Sequence, residues 1–114
     1  MSIADVHWED WEQKVTKSEK PVIVEFWHQN CQTCKKIESS VKELPRNLGE
    51  NVQLLRLNVL ESRENRILAI KMGVMGTPTF KIYCNDSEVG ELIGEETLEN
   101  LPKKLQDIVA KCTQ

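Results

Sequence analysis

The chain is expected to fold as one α/β domain, a central mixed sheet of about five strands with helices on both faces. Two apolar runs carry that expectation. Val22-Ile23-Val24-Glu25-Phe26-Trp27 reads as a strand covered on both faces, as in the middle of a sheet, and Val52-Gln53-Leu54-Leu55-Arg56-Leu57-Asn58-Val59 as a second strongly apolar strand. A third run, residues 79–83, is joined by Asn85-Asp86-Ser87 to residues 88–93 and reads as a hairpin. With 114 residues there is material for one core, so 1–114 is assigned to a single domain.

Residues 3–6 read as a short first strand. Trp8, Trp11 and Val15 recur at helical spacing among charged neighbours, so residues 8–18 are expected to form an amphipathic helix. Pro21 opens the strand 22–27. Ile37, Val41, Leu44 and Leu48 then mark one face of a helix leading away from Cys34. Pro45 predicts an end or kink near Leu44, and Gly49 a cap. Residues 61–71 read as a helix with Ile67, Leu68 and Ile70 inward, closed by Gly73. Gly94 ends the hairpin. A last helix is expected from about Thr97, with Leu98, Leu101, Leu105, Ile108 and Val109 on one face; Pro102 falls in its first turn or so, where a missing N–H costs little. The order is β-α-β-α-β-α-β-β-α.

Hydrophobic residues make up 39% and charged residues 29%, the balance of a globular chain with enough apolar material for one core. The net charge of -3, without a basic stripe, argues against a nucleic-acid partner. No apolar run approaches the roughly 18–20 residues that span a membrane. Met1-Ser2-Ile3-Ala4-Asp5-Val6-His7 lacks the basic and apolar regions of a secretory signal, so a cytoplasmic location is expected. In a reducing compartment four cysteines do not imply a structural framework, and Cys84 and Cys112 are expected to be reduced thiols without a role.

The chemistry concentrates in Trp27-His28-Gln29-Asn30-Cys31-Gln32-Thr33-Cys34-Lys35-Lys36. Two cysteines three positions apart, where a strand gives way to a helix, are placed for thiol–disulfide chemistry. Free N–H groups and the positive end of the helix dipole both favour a thiolate there. The competing reading is zinc, with His28, Cys31 and Cys34 as three ligands; no second cysteine pair accompanies them. Glu25 stands out for a different reason. It is a lone charge inside an apolar strand, costly unless paired or protonated, unless the residue is simply solvated.

The chain resembles the thioredoxin family. The likeness rests on Val24-Glu25-Phe26-Trp27, the pair Cys31 and Cys34, Lys35, Leu57-Asn58-Val59, Lys71-Met72-Gly73-Val74 and Gly76-Thr77-Pro78-Thr79, in the right order over nearly the whole length. It implies the thioredoxin fold and a protein-disulfide oxidoreductase. Cys31 would be the nucleophile, with a pKa of about 6–7.5, and Cys34 the resolving cysteine. Their dithiol/disulfide couple would be the only redox group, with no other cofactor and no metal. Glu25 would be a buried acid/base serving Cys34, and Pro78 a cis-proline beside the pair. The family likeness also implies a substrate surface from Trp27, Asn30, Gln32, Thr33, Met75, Gly76, Thr77 and Gly94, with the backbone of Thr77 pairing to an extended substrate segment. Arg56 stands where the family often has lysine. If it reaches Glu25, it is expected to lower the carboxyl pKa. The implied partners are protein disulfide substrates and a separate reductase, and a monomer is expected.

The match departs from the family in places. The family's Gly-Pro between the cysteines is Gln32-Thr33, and its tryptophan before the first cysteine is Asn30. A polar lip results, in which His28 could titrate near neutrality. The family's proline inside the following helix is also missing, with Ser39 near that place. Val74 and Met75 make one groove wall apolar, while Glu95 and Glu96 after Gly94 make the other acidic, which suits a partner with basic residues. These departures keep open a thioredoxin-fold binding or chaperone-like module with little redox turnover.

Overall fold

The computed structural model describes residues 3–113, so Met1, Ser2 and Gln114 of the single-domain assignment lie outside the described residues. Among the described residues, β1 (Ala4–Asp5), β2 (Val22–Trp27), β3 (Gln53–Asn58), β4 (Thr79–Cys84) and β5 (Ser87–Ile93) form one sheet in the order β1-β3-β2-β4-β5. The central β2 is parallel to β3 and antiparallel to β4, with Glu25 opposite Arg56 on one side and Phe80 on the other. Residues 22–26 are all buried, as an apolar run in mid-sheet requires. Asn85 and Asp86 turn the β4–β5 hairpin in the left-handed region, where short polar side chains cost least.

Successive strand residues face opposite layers. Ile23, Leu54, Phe80, Ile82 and Leu92 pack with Ile37, Val41 and Leu44 of α1 (Gln32–Leu48) and with Leu101 and Leu105 of α3 (Leu101–Val109). On the other face Val22, Val24, Phe26, Leu55, Leu57 and Tyr83 pack with Val15 and with Ala69 of α2 (Arg63–Lys71). Trp11 closes this second core, its ring centroid 6.0 Å from Phe26 and 5.5 Å from Tyr83.

Several local expectations are corrected. Residues 8–18 do not form one helix. They make a 3-10 turn, Trp8–Asp10, and a wider π-type turn, Glu12–Thr16. Two side chains take the donors that a regular first turn would leave free. Asp10 Oδ2 accepts the His7 N–H at 2.9 Å, and Asn65 Oδ1 accepts the Trp8 N–H at 2.8 Å. The first strand shrinks to two residues. The helix from Gln32 runs on through Pro45 to Leu48, because Val41 and Leu44 stay buried against the sheet, and Gly49 caps it at φ 77°. The second helix starts at Arg63, where the Ser62 hydroxyl accepts the Asn65 N–H at 3.0 Å. Its buried positions are Asn65 and Ala69, with Leu68 packed partly buried against the same core as expected, while Ile70 is 61% exposed. The last helix starts at Leu101, since Gly94–Thr97 forms its own 3-10 turn and Asn100 sits at φ 55°. Leu98 is therefore outside the helix and exposed.

Cys84 and Cys112 are not two separate thiols: the fold brings them side by side, with Cα atoms 5.7 Å apart. Helix α3 returns the chain to the end of β4, an encounter that a sequence separation of 28 conceals.

Candidate functional site

The site is built where β2 ends and α1 begins. Cys31 is the N-cap of α1, and its Sγ accepts the Cys34 N–H at 3.1 Å. One of the free donors of the first turn is thus aimed at sulfur, and the helix dipole adds to it. Cys31 and Cys34 form a disulfide with Cα atoms 5.2 Å apart. Cys31 is the more accessible of the two, 7% exposed against 3% for Cys34. The order of exposure agrees with an outer and an inner sulfur.

Thr77–Pro78 is a cis peptide. Because Phe26 pairs with Thr79, Pro78 stands across the sheet from Trp27, at the same end as the cysteines. The Pro78 carbonyl accepts the Gly94 N–H at 2.9 Å, and the Thr79 hydroxyl donates to the Gly76 carbonyl at 2.7 Å. Three of the sequence-predicted surface positions, Gly76, Thr77 and Gly94, are thereby tied around one proline. Gly94 holds φ 56°, a conformation that costs glycine little.

Behind the pair lies a charged cluster. Arg56 Nε donates to Glu25 Oε1 at 2.7 Å, while its terminal nitrogens donate to the two oxygens of Glu38 at 3.0 and 3.3 Å. The guanidinium lies over the Trp27 ring, 4.3 Å from its centroid. Arg56 reaches Glu25 as expected, but the carboxyl pKa does not fall. Burial raises it, and Arg56 only partly opposes that, with Glu38 and Asp5 adding repulsion; the result is about 7. Glu25 is 2% exposed, and its Oε2 has no hydrogen-bond partner among the described residues. Glu38 escaped the sequence reading. Its position one helical turn after Cys34, on the same face of α1, was the available signal.

His28 lies between two open clefts. One, of about 350 Å³, is lined by Trp27, His28, Gln29, Cys34, Lys35 and Glu38. The other, of about 450 Å³, runs from His28 past Val59, Leu60 and Ile70 to Val74, Met75, Gly76 and Thr77. His28 Nδ1 accepts the Asn30 N–H at 3.1 Å, which puts the proton of the neutral ring on Nε2. Asn30 and Gln32 are exposed and Thr33 half-buried, so the lip is polar. Met75 is 99% exposed, and Leu60 and Ile70 extend its apolar wall. The opposite wall is not simply acidic. Exposed Ile93 and Leu98 flank Glu95 and Glu96.

Among the described residues, no group of three or more His, Cys, Asp or Glu is arranged to hold a metal ion, and no helix is long and apolar enough to cross a membrane.

The thioredoxin family model matches residues 2–107. Thioredoxin of Acetoanaerobium sticklandii is 33% identical over 86 residues, covering 75% of this chain and 79% of that protein. Thioredoxin of Streptomyces clavuligerus is 34% identical over 84 residues, covering 74% and 75%. Among solved structures, the long form of spinach chloroplast thioredoxin f superimposes with a TM-score of 0.81 at 26% identity, covering 99% of this chain and 88% of that one. Sequence, strand order and the cysteine pair at the helix end agree: the chain belongs to the thioredoxin family and is a thiol–disulfide oxidoreductase.

Proposed function

We propose that this chain works as a reductant of disulfides in other proteins, with Cys31 attacking and Cys34 resolving. The observation that carries the reading is the Cys31 sulfur at the helix cap, accepting the Cys34 N–H, at the sheet end that also holds Pro78. The Cys31 thiolate attacks one substrate sulfur, forms a mixed disulfide and expels the other sulfur as a thiolate. Cys34 then gives up its proton and attacks the Cys31 sulfur, which breaks the mixed disulfide and releases the second substrate thiolate. Two electrons have passed to the substrate, and the Cys31–Cys34 disulfide remains.

Glu25 is the acceptor for the Cys34 proton. It shares with Trp27 the sheet face that α1 covers, and its free Oε2 and pKa of about 7 suit both taking and returning a proton at neutrality. Arg56 holds that carboxyl in place. His28, Asn30, Gln32 and Thr33 form the polar lip, and His28 adjusts the field at Cys31. Trp27, Met75, Gly76, Thr77 and Gly94 line the surface on which an extended substrate segment lies, paired to the Thr77 backbone. The cycle calls for no cofactor beyond the two cysteines, and a separate reductase returns the electrons. We read the chain as a monomer of the cytoplasm.

The exposed Met75, Ile70 and Leu60 favour a second reading, a docking module with little turnover. Disulfide reduction by the pre-reduced protein, set against a Cys31→Ser variant, separates the two. We expect the variant to lose essentially all activity; equal rates would leave only the docking reading.

A further inference from the structure

The second cysteine pair lies outside everything the oxidoreductase cycle uses. Cys84 ends β4, and Cys112 lies in the 3-10 turn Ala110–Thr113 that follows α3. The packing that brings them together is specific. Ile108 of α3 sits directly on Gly90, where a Cβ would stand 2.6 Å from Ile108 Cγ2. Gly90 pairs with Ile82, two residues before Cys84. Four residues beyond Ile108 and two strand residues beyond Ile82 are both advances of about 6–7 Å, so the two cysteines arrive at the same place. Their Cα separation of 5.7 Å lies in the middle of the range a disulfide accepts.

The pair is also remote from the first. Thr79, beside Pro78, begins the strand that Cys84 ends, and six residues of antiparallel strand put about 17 Å between the two poles. Electrons therefore cannot pass between the pairs inside one molecule by direct exchange. Both residues are half-buried, which admits a tripeptide-sized thiol more readily than the edge of a folded protein.

We propose that Cys84 and Cys112 form a second thiol–disulfide site, which exchanges with small disulfides of the glutathione class and thereby fastens or frees the C-terminal end of α3, independently of Cys31 and Cys34. In the closing direction one cysteine thiolate attacks a sulfur of the small disulfide and expels a small thiolate. The second cysteine then attacks the mixed bond and expels the other. Two protein thiols and one small disulfide become one protein disulfide and two small thiols, with no further oxidant. A reducing thiol pool runs the same steps backward. A reducing compartment thus leaves the last turn free, and an oxidising shift fastens α3 over the core it covers. Closing a loop of this length is expected to raise the melting temperature by on the order of 10 °C.

The test uses the full chain with both active-site cysteines replaced (Cys31→Ser and Cys34→Ser), so that its outcome is separate from that of the reductase reading. The protein is equilibrated in glutathione and glutathione disulfide at graded ratios, alkylated, and weighed by mass spectrometry. We expect a cooperative loss of two hydrogens as the pool is oxidised, reversed by glutathione, together with a melting temperature about 10 °C higher in the closed form. The wild type serves as a folding control, with two disulfides when oxidised. A Cys84→Ser variant should keep full disulfide-reductase activity. Stable glutathione adducts on both cysteines, a disulfide-linked dimer, persistent free thiols at every ratio, or equal melting temperatures for the two forms would each overturn the proposal.

Discussion

Arg56 divides its guanidinium between two acids, with Nε on Glu25 and the terminal nitrogens on Glu38. A cation shared in this way neutralises each carboxylate less than a dedicated partner does, and removal of Glu25 from water outweighs what remains. The consequence for stability has a definite sign. With a folded pKa of about 7 against 4.5 in the free residue, the native state keeps its proton longer than the unfolded one. Stability is complete below the unfolded value and falls as pH rises through 7, by about 3 kcal/mol in all. Denaturant unfolding from pH 4 to 9 should show this decline in the wild type and lose it in Glu25→Gln. Glu38→Gln should hand Arg56 wholly to Glu25 and lower the Glu25 pKa, read by carboxyl NMR; an unmoved titration would contradict the shared-cation account.

At the scale of elements, the sheet and the helices answer to different amounts of local information. β2 and β3 were legible because a strand apolar on both faces has few alternatives, and the α1 cap was legible because cysteine, strand and helix are adjacent in sequence. Pro45 predicts a break that does not occur, because its lost hydrogen bond and local clash are outweighed by Ile37, Val41 and Leu44 packed against the sheet. The spacing at residues 8–18 predicts one helix, yet turns form there because Asn65, 57 positions on, takes the Trp8 N–H. Ile70 looked inward by spacing, yet a fully buried Asn65 occupies the face it was assigned. Contact between α3 and β5 gives a direct check on element packing. Gly90→Ala should cost about 1–3 kcal/mol through the clash with Ile108, and trimming Ile108 to Ala in the same chain should recover part of it.

For the whole molecule, the parallel β3-β2 pair and the antiparallel β4 bring Cys31, Pro78 and Gly94 to one end of the sheet and leave Cys84 and Cys112 at the other. The catalytic end was readable because motif and family likeness coincide there. The second cysteine pair was not, because Cys84 and Cys112 meet only when α3 returns the chain to the end of β4, and Glu38 was marked only by its place one turn after Cys34. At the readable end the central assignment is that Cys31 attacks and Cys34 resolves. Trapping tests it most directly. A Cys34→Ser variant, reduced and mixed with a disulfide-bonded protein, should accumulate a mixed disulfide whose protein half maps to Cys31 by peptide mass spectrometry. Cys31→Ser under the same conditions should accumulate none. Adducts mapping to Cys34 in Cys31→Ser, at the yield Cys34→Ser gives on Cys31, would contradict the assignment.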